Sequence, residues 1–521
     1  MNERTYLNAV EGGKVEEFHR LYEAAVERAR GDFGQEHPIW IDGQEIHSKG
    51  GTFEDRSPND KRILLGLFQK GTKADAKKAV EAAKRAYPAW VSSAYQERAR
   101  IFLKAADLIS ARKFYIAALM SFENGKNRAE AIADVDEGID LIRWYAGELV
   151  ANKGFEQEMG RYVQNERTKS VLKPYGIWAV IAPFNFPFAI TAGMTAGAVL
   201  TGNTAVLKPA SDTPFMALVL YDILVEAGLP PGVLNFVTGP GSTVGQELVD
   251  NPHVDGFVFT GSREVGLSAF RTFTANFPKP IIAEMGGKNA TIVTAKADMD
   301  KAAEGVARAA FGYGGQKCSA CSRVLVQENV KDEFIKKLVA YTKNVKVGDP
   351  LLRDTFMGPV INEAAYAKYQ KVAATARKDG RILSGGNARK DGDLKQGYYV
   401  EPMIVDGLPL NHRFLNEELF IPVIAIATYG SFDEAMEIAN STDYGLTGGI
   451  FSSDQKEVEE FFRRAETGTV YANRTMGSTT GAIVGAQPFV GWKMSGISGK
   501  GAGGHHYLQQ FMREQTQTTY I

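Results

Sequence analysis

Cysteine is almost absent from this chain, with two in 521 residues. That is too few for the disulfide framework of a secreted protein, and it points to a reducing compartment. Long apolar runs are missing too: no stretch reaches eighteen uninterrupted apolar residues. The opening MNERTYLNAVEGGKVEEFHR is charged and lacks the apolar centre of a signal peptide, and its early acidic residues argue against a mitochondrial leader. A soluble, cytoplasmic protein is expected. Nor is there an excess of either charge. Sixty basic against sixty-one acidic residues leave no electrostatic footprint for nucleic acid or for a membrane surface, so the expected partner is a small molecule.

What is present is an ordinary globular composition, 44% hydrophobic and 23% charged, long enough for two or three domains. Apolar positions at Val15, Phe18, Leu21, Tyr22 and Ala25 predict an amphipathic helix over 11–30. A polar hairpin-like stretch, IDGQEIHSKGG, follows, and then helices over 74–86, 95–110 and 129–147. From about Ser170 short β-branched runs (GIWAVIAP, NTAVLKPA, GVLNFVTGPG, VDGFVFTGS) alternate with helical stretches such as 216–227. The alternation resumes between Val324 and Ser452, with a helix over 330–344. This pattern predicts parallel sheets of βαβ units, two α/β domains in all. The last ten residues alternate polar and β-prone types without a core face, as an arm pairing with another subunit would.

Both cysteines lie in FGYGGQKCSACSRV, 311–324. A redox pair needs its first cysteine at a helix N-terminus in a small domain, and this stretch sits mid-chain in a large one. A zinc site needs more ligands, and the seven histidines are scattered except for His505–His506; no metal is expected. A single thiolate nucleophile, presented by a tight glycine-rich turn with N–H groups nearby, and a buried structural cysteine both remain open on these residues alone.

FGYGGQKC resembles the cysteine signature of the aldehyde dehydrogenase superfamily. PFNFPF (183–188), NTAVLKPAS (203–211), FTGSREVG (259–266), EMGGKN (284–289), EELFIPV (417–423) and YGLTGG (444–449) are similar to that family's motifs, in the family's order, from about Asp42 onward. The resemblance implies a Rossmann-type cofactor domain, an α/β catalytic domain and a small oligomerisation element. It implies Cys318 as nucleophile and Cys321 as bystander, Asn185 with the Cys318 N–H as oxyanion donors, and Glu284 as the base that activates water. For NAD it implies Lys208 and Glu418 on the two riboses, Phe420 packing nearby, and Ser262 opening a helix toward the pyrophosphate. GPGSTVG at Gly239 is read as a glycine-rich turn rather than a dinucleotide fingerprint.

Two departures stand out. Ser211 replaces a glutamate that grips the adenosine ribose in many members, so NADP is expected to be tolerated beside NAD. In FVGWKMSG, Val490 and Trp492 replace glycine and phenylalanine. GGQKCSACSR, GAIVGAQPF (481–489), SGKGAGGHHYLQQF (498–511) and the N-terminal helical extension resemble the branch of the family that oxidises L-glutamate γ-semialdehyde, formed from 1-pyrroline-5-carboxylate, in proline breakdown. That resemblance implies Ser319, Gly503 and Gly504 on the amino-acid end of the substrate, with Phe186 and Phe511 walling its stem. Another semialdehyde, succinic or 2-oxoglutarate, is the rival substrate, with Arg323 or Lys500 meeting its carboxylate. The expected layout is an N-terminal extension (1–36), a NAD(P)-binding domain (37–157 and 175–283), a catalytic domain (284–500), and an oligomerisation element (158–174 and 501–521) that makes a homo-oligomer.

Overall fold

The computed structural model describes residues 2–477 and 483–521. Its centre is two seven-stranded sheets. In the first, Ile281–Glu284, Gly256–Thr260, Ile177–Ile181, Thr204–Lys208 and Leu234–Phe236 are neighbours in that order and parallel, and the hairpin Ile39–Ile41 and Gln44–Ile46 closes the edge antiparallel. The inner strands read as apolar runs because helices cover both faces: every residue of Thr204–Lys208 is buried. Ile177–Ile181 lies between Thr204–Lys208, reached by going one way along the sheet, and Gly256–Thr260, reached by going back. That reversal opens a crevice at the carboxyl ends of these strands, the place where open α/β sheets hold ligands.

The second sheet runs Arg381–Ser384, Met403–Asp406, Val423–Tyr429, Cys321–Gln327, Asn289–Val293, Thr447–Phe451 and Thr469–Ala472. All pairs are parallel except the first. The chain passes between the sheets over Met285–Lys288, so the carboxyl ends of the first sheet face the amino ends of the second.

Several helices differ from their predicted spans, each for a local reason. The first splits into Thr5–Glu11 and Val15–Arg30 because Gly13 takes φ +66°. Lys73–Val91 runs through Pro88, beyond the predicted end at 86. Tyr95–Asn124 is far longer than predicted. Its residues Ile116–Asn124 are buried all round, so no polar face marks the period. A three-stranded sheet stands apart, with Glu166–Pro174 between Glu156–Glu158 and Met512–Tyr520; the last pairs with it residue for residue over nine positions.

Candidate active site

Cys318 precedes the strand Cys321–Gln327 on a turn that two side chains, Gln316 and Asn289, pin. Tyr313, Gly314 and Gly315 all take positive φ (50°, 60° and 67°). For a tyrosine this is a strained conformation of the kind that collects at functional sites. Gln316 is fully buried; its Oε1 accepts from Ile361 N–H (2.8 Å) and its Nε2 donates to the Tyr313 carbonyl (3.2 Å). Asn289 Nδ2 donates to the carbonyls of Cys318 (2.7 Å) and Ala320 (2.9 Å). With those carbonyls turned away, the N–H groups of Cys318 and Ser319 are left to bond the Cys318 sulfur. Burial, then the charges of Glu284 and Glu418, hold the thiol well above its ordinary pKa.

Glu284 ends a strand of the first sheet, and its carboxyl is pushed up to about 8 by burial, against a hydrogen bond from Gly491 N–H. The loop 491–497 clamps this crossing: Met285 N–H donates to Ser495 O (2.8 Å), Ser495 Oγ to Gly286 O (2.7 Å), and Ile497 N–H to Ala283 O (3.1 Å). Beside Glu284 is a cavity of about 20 Å³, room for one water, lined by Thr260, Met194, Tyr507 and Lys500 among others. Glu418 packs directly on the crossing, its Oε1 accepting from Gly287 N–H (2.8 Å). A Cβ on Gly286 would lie 2.1 Å from Glu418 Oε2, so only glycine admits that carboxylate. Burial raises Glu418 to about 7. Phe420 adopts φ +59° and sets its ring edge-to-face on Phe184, 5.7 Å away.

Asn185 follows the central strand of the first sheet. It is buried, and its amide makes no hydrogen bond among the described residues. Lys208 ends the next strand, buried, its Nζ bonded to the Pro209 carbonyl (2.9 Å) and its pKa lowered to about 8 by burial. Its aliphatic stem faces Gly245, where a Cβ would sit 3.8 Å away. Gly245 closes a π-helical turn, Gly241–Gly245, and this is what GPGSTVG forms. Ser262 caps the helix Arg263–Phe273, accepting from Val265 N–H (3.4 Å). Ser211 is exposed, and the neighbouring Asp212 is engaged by Asn362 Nδ2 (3.0 Å). A dinucleotide fits this donor set: a buried amine, a carboxylate with one oxygen free, and a capped helix start, all in the crevice.

The helix predicted over 129–147 runs from Arg128 to Ala151, and the sequence reading gave no role to its buried charged residues. Lys126, just before it, makes an ion pair at 2.6 Å with Asp134, both side chains fully buried. Lys126 Nζ lies 3.6 Å from the Phe186 ring and 5.0 Å from that of Tyr313, tying the Asn185 loop to the nucleophile turn. Asp134 Oδ1 accepts from Ala189 N–H (2.7 Å). Glu137, one turn on, has no hydrogen bond or ion pair among the described residues, and burial pushes it up to about 8. The signal was charged residues within an otherwise apolar helix, which periodicity alone does not single out.

Three parts of the substrate expectation need correction. Gly503 and Gly504 are buried with their N–H groups already spent, on Tyr145 Oη (2.9 Å) and on Gly501 O (3.2 Å). Phe511 is fully buried in the core, 4.6 Å from Trp178 and against Gly197, and so walls no pocket. Arg323 donates to the carbonyls of Lys288 (3.1 Å), Ile438 (2.9 Å) and Ala439 (2.7 Å), which leaves it no role on a substrate carboxylate. Ser319 is buried beside Cys318, and its hydroxyl has no hydrogen bond among the described residues. Gly481 and Ala482 of GAIVGAQPF lie outside the described residues. Cys321 is buried at the start of its strand, its Sγ 3.3 Å from Thr291 Oγ1.

Residues 46–517 match the model of the aldehyde dehydrogenase family, and the chain belongs to that family. It is 39% identical over 511 residues to a 1-pyrroline-5-carboxylate dehydrogenase of Geobacillus sp. (strain WCH70), and 40% identical over 506 residues to one of Staphylococcus haemolyticus, with 96% of each chain covered. Among solved structures it is similar to a 1-pyrroline-5-carboxylate dehydrogenase from Thermus with bound NAD: TM-score 0.92, 36% identity, 96% of each chain covered.

Proposed function

We propose that the protein oxidises L-glutamate γ-semialdehyde to L-glutamate with NAD, and tolerates NADP, as a step of proline breakdown in the cytoplasm. What supports this reading is similarity over 96% of the chain to 1-pyrroline-5-carboxylate dehydrogenases, together with a Cys318 thiol within reach of the charge of Glu284 and a buried Asn185 whose amide is unspent. Cys318 Sγ attacks the aldehyde carbon, and the Asn185 amide with the Cys318 N–H holds the oxygen as it becomes negative. NAD, when bound, supplies the hydride acceptor; Lys208, Glu418, Phe420 and the start of the Ser262-capped helix would hold it. Glu284 takes a proton from water, whose oxygen then displaces the Cys318 sulfur from the thioester and releases the acid.

For the substrate's amino-acid end, Ser319 offers a free hydroxyl and Glu137 an unpaired carboxyl group that an α-ammonium would ionise and bind, while Phe186 walls the stem. The sheet joining Glu166–Pro174 to Met512–Tyr520 would serve as the oligomerisation element of a homo-oligomer, with the largely exposed strand Met512–Tyr520 open to a second copy. The test is the rate of reduced-nicotinamide formation with pyrroline-5-carboxylate against succinic semialdehyde, at saturating NAD. A large excess in kcat/KM for the former is expected; equal or reversed rates would discard the substrate assignment and leave the dehydrogenase chemistry standing.

A further inference from the structure

Residues 2–5 do more than precede a helix. Glu3 N–H donates to both carboxylate oxygens of Asp140 (3.0 Å each), and Thr5 donates its N–H and its hydroxyl to the two oxygens of Asp136 (2.8 Å each). Glu3 in turn pairs with Arg143 (2.8 Å) and Lys113 (3.2 Å), and Lys113 reaches the Thr5 hydroxyl (2.6 Å). Asp136, Asp140 and Arg143 share one side of the helix Arg128–Ala151. The other side carries Glu137, Gly138, Leu141 and Tyr145 into the active-site region: a Cβ on Gly138 would meet Phe188 at 2.9 Å, and Tyr145 Oη holds Gly503 N–H. The segment therefore grips from behind the helix that faces the substrate.

A further contact leaves that helix altogether. Asn2 Nδ2 donates to the carbonyl of Val484 (2.9 Å), 482 positions away. Val484 belongs to GAIVGAQPF, and its loop is fastened to the Gly503 turn by Gly485 N–H to Gly503 O (2.9 Å) and to Trp144 by close packing at Gly485. Asn2 and Tyr145 thus hold the two sides of one joint, the first through Val484 and the second through Gly503.

We propose that Asn2–Thr5 is a positioning strap for substrate recognition: Asn2 fixes the 483–489 loop, Glu3 and Thr5 fix the helix bearing Glu137, and the strap thereby sets affinity for the amino-acid end of the substrate without touching the reacting carbon. The specificity half of this statement rests on the substrate reading above. Asn2 is a positioning residue, since it acts through Val484.

The experiment uses the full chain carrying Asn2→Ala, with Asn2→Gln, which keeps the amide donor, as the conservative variant. Hydrogen exchange is followed at the Gly485 amide. KM and kcat are measured for glutamate semialdehyde and for propionaldehyde, which has no amino-acid end. In Asn2→Ala, Gly485 should exchange about two- to tenfold faster, as expected for one lost hydrogen bond. KM for glutamate semialdehyde should rise by a similar factor, with kcat and both propionaldehyde constants unchanged, and Asn2→Gln should restore much of the loss. Unchanged exchange at Gly485 overturns the strap. Equal losses on both substrates together with a lowered Tm overturn its role in recognition. Should the wild-type enzyme show no preference for glutamate semialdehyde, the substrate reading fails, and exchange at Gly485 still decides the strap.

Discussion

Glu284 is the group whose perturbation is most informative. With its pKa near 8, set by burial and only partly offset by the Gly491 N–H, about 9% of the carboxyl is ionised at pH 7 and about 91% at pH 9. If water activation limits turnover, kcat rises about tenfold across that interval. Glu284→Gln should lower steady-state kcat by roughly 10²- to 10⁴-fold, the usual contribution of a positioned base. It should also expose a burst of reduced nicotinamide equal to the number of active sites, because thioester formation outruns hydrolysis. Removing the nearby negative charge also makes the Cys318 thiol easier to ionise. The assay is stopped-flow absorbance from pH 6 to 9. Wild-type turnover in Glu284→Gln, or a limb near pH 8 that survives the substitution, would refute the assignment. The same shift carries a stability consequence. Since the folded value lies above the ordinary value of 4.5, the favourable contribution is complete below about pH 4.5 and is lost as pH rises through 8. Chemical denaturation of Glu284→Gln should lack that decline.

Other outcomes follow from the same geometry. Cys318→Ala should abolish oxidation while retaining cofactor binding by fluorescence titration, whereas Cys321→Ala, at a buried site away from the reacting carbon, should keep kcat within about threefold. Gly286→Ala forces a Cβ onto Glu418 and should raise KM for NAD at least tenfold in initial-rate assays, by displacing that carboxylate. With Ser211 exposed and Asp212 engaged by Asn362, the NAD to NADP ratio of kcat/KM should stay below about a thousandfold; a greater preference would mean that some other group repels the 2′-phosphate.

The two α/β layers were legible because strand and helix periods differ, and the proposed catalytic set could be named because its motifs are short and contiguous. Lys208, Asn185 and Ser262 fall at or just beyond carboxyl ends of the first sheet, where strand-to-helix turns leave a sequence mark, and Glu284 ends the strand that crosses to the second sheet. What failed to show was whatever depends on contacts between distant segments. Nothing local tells that Gly503 spends its N–H on Tyr145, or that Phe511 turns under the sheet onto Trp178. Lys126 and Asp134 look like surface charges until the fold buries them together. The anchor loop was misplaced for the same reason: glycine permits an exposed N–H but does not require one.

The strand Met512–Tyr520 pairs along its whole length with Glu166–Pro174, and the side chains of Ser170 and Glu514 meet across 344 positions. During synthesis, Glu166–Pro174 emerges hundreds of residues before the partner that covers its edge. For that interval the nascent chain carries a nine-residue strand with one side unpaired, an invitation to pair with another copy. The polar, charged sequence ERTKSVLKP, with its closing proline, is a fitting guard for that wait. Docking of the final strand is therefore a late folding event, and it moves the open edge of the sheet from Glu166–Pro174 to Met512–Tyr520.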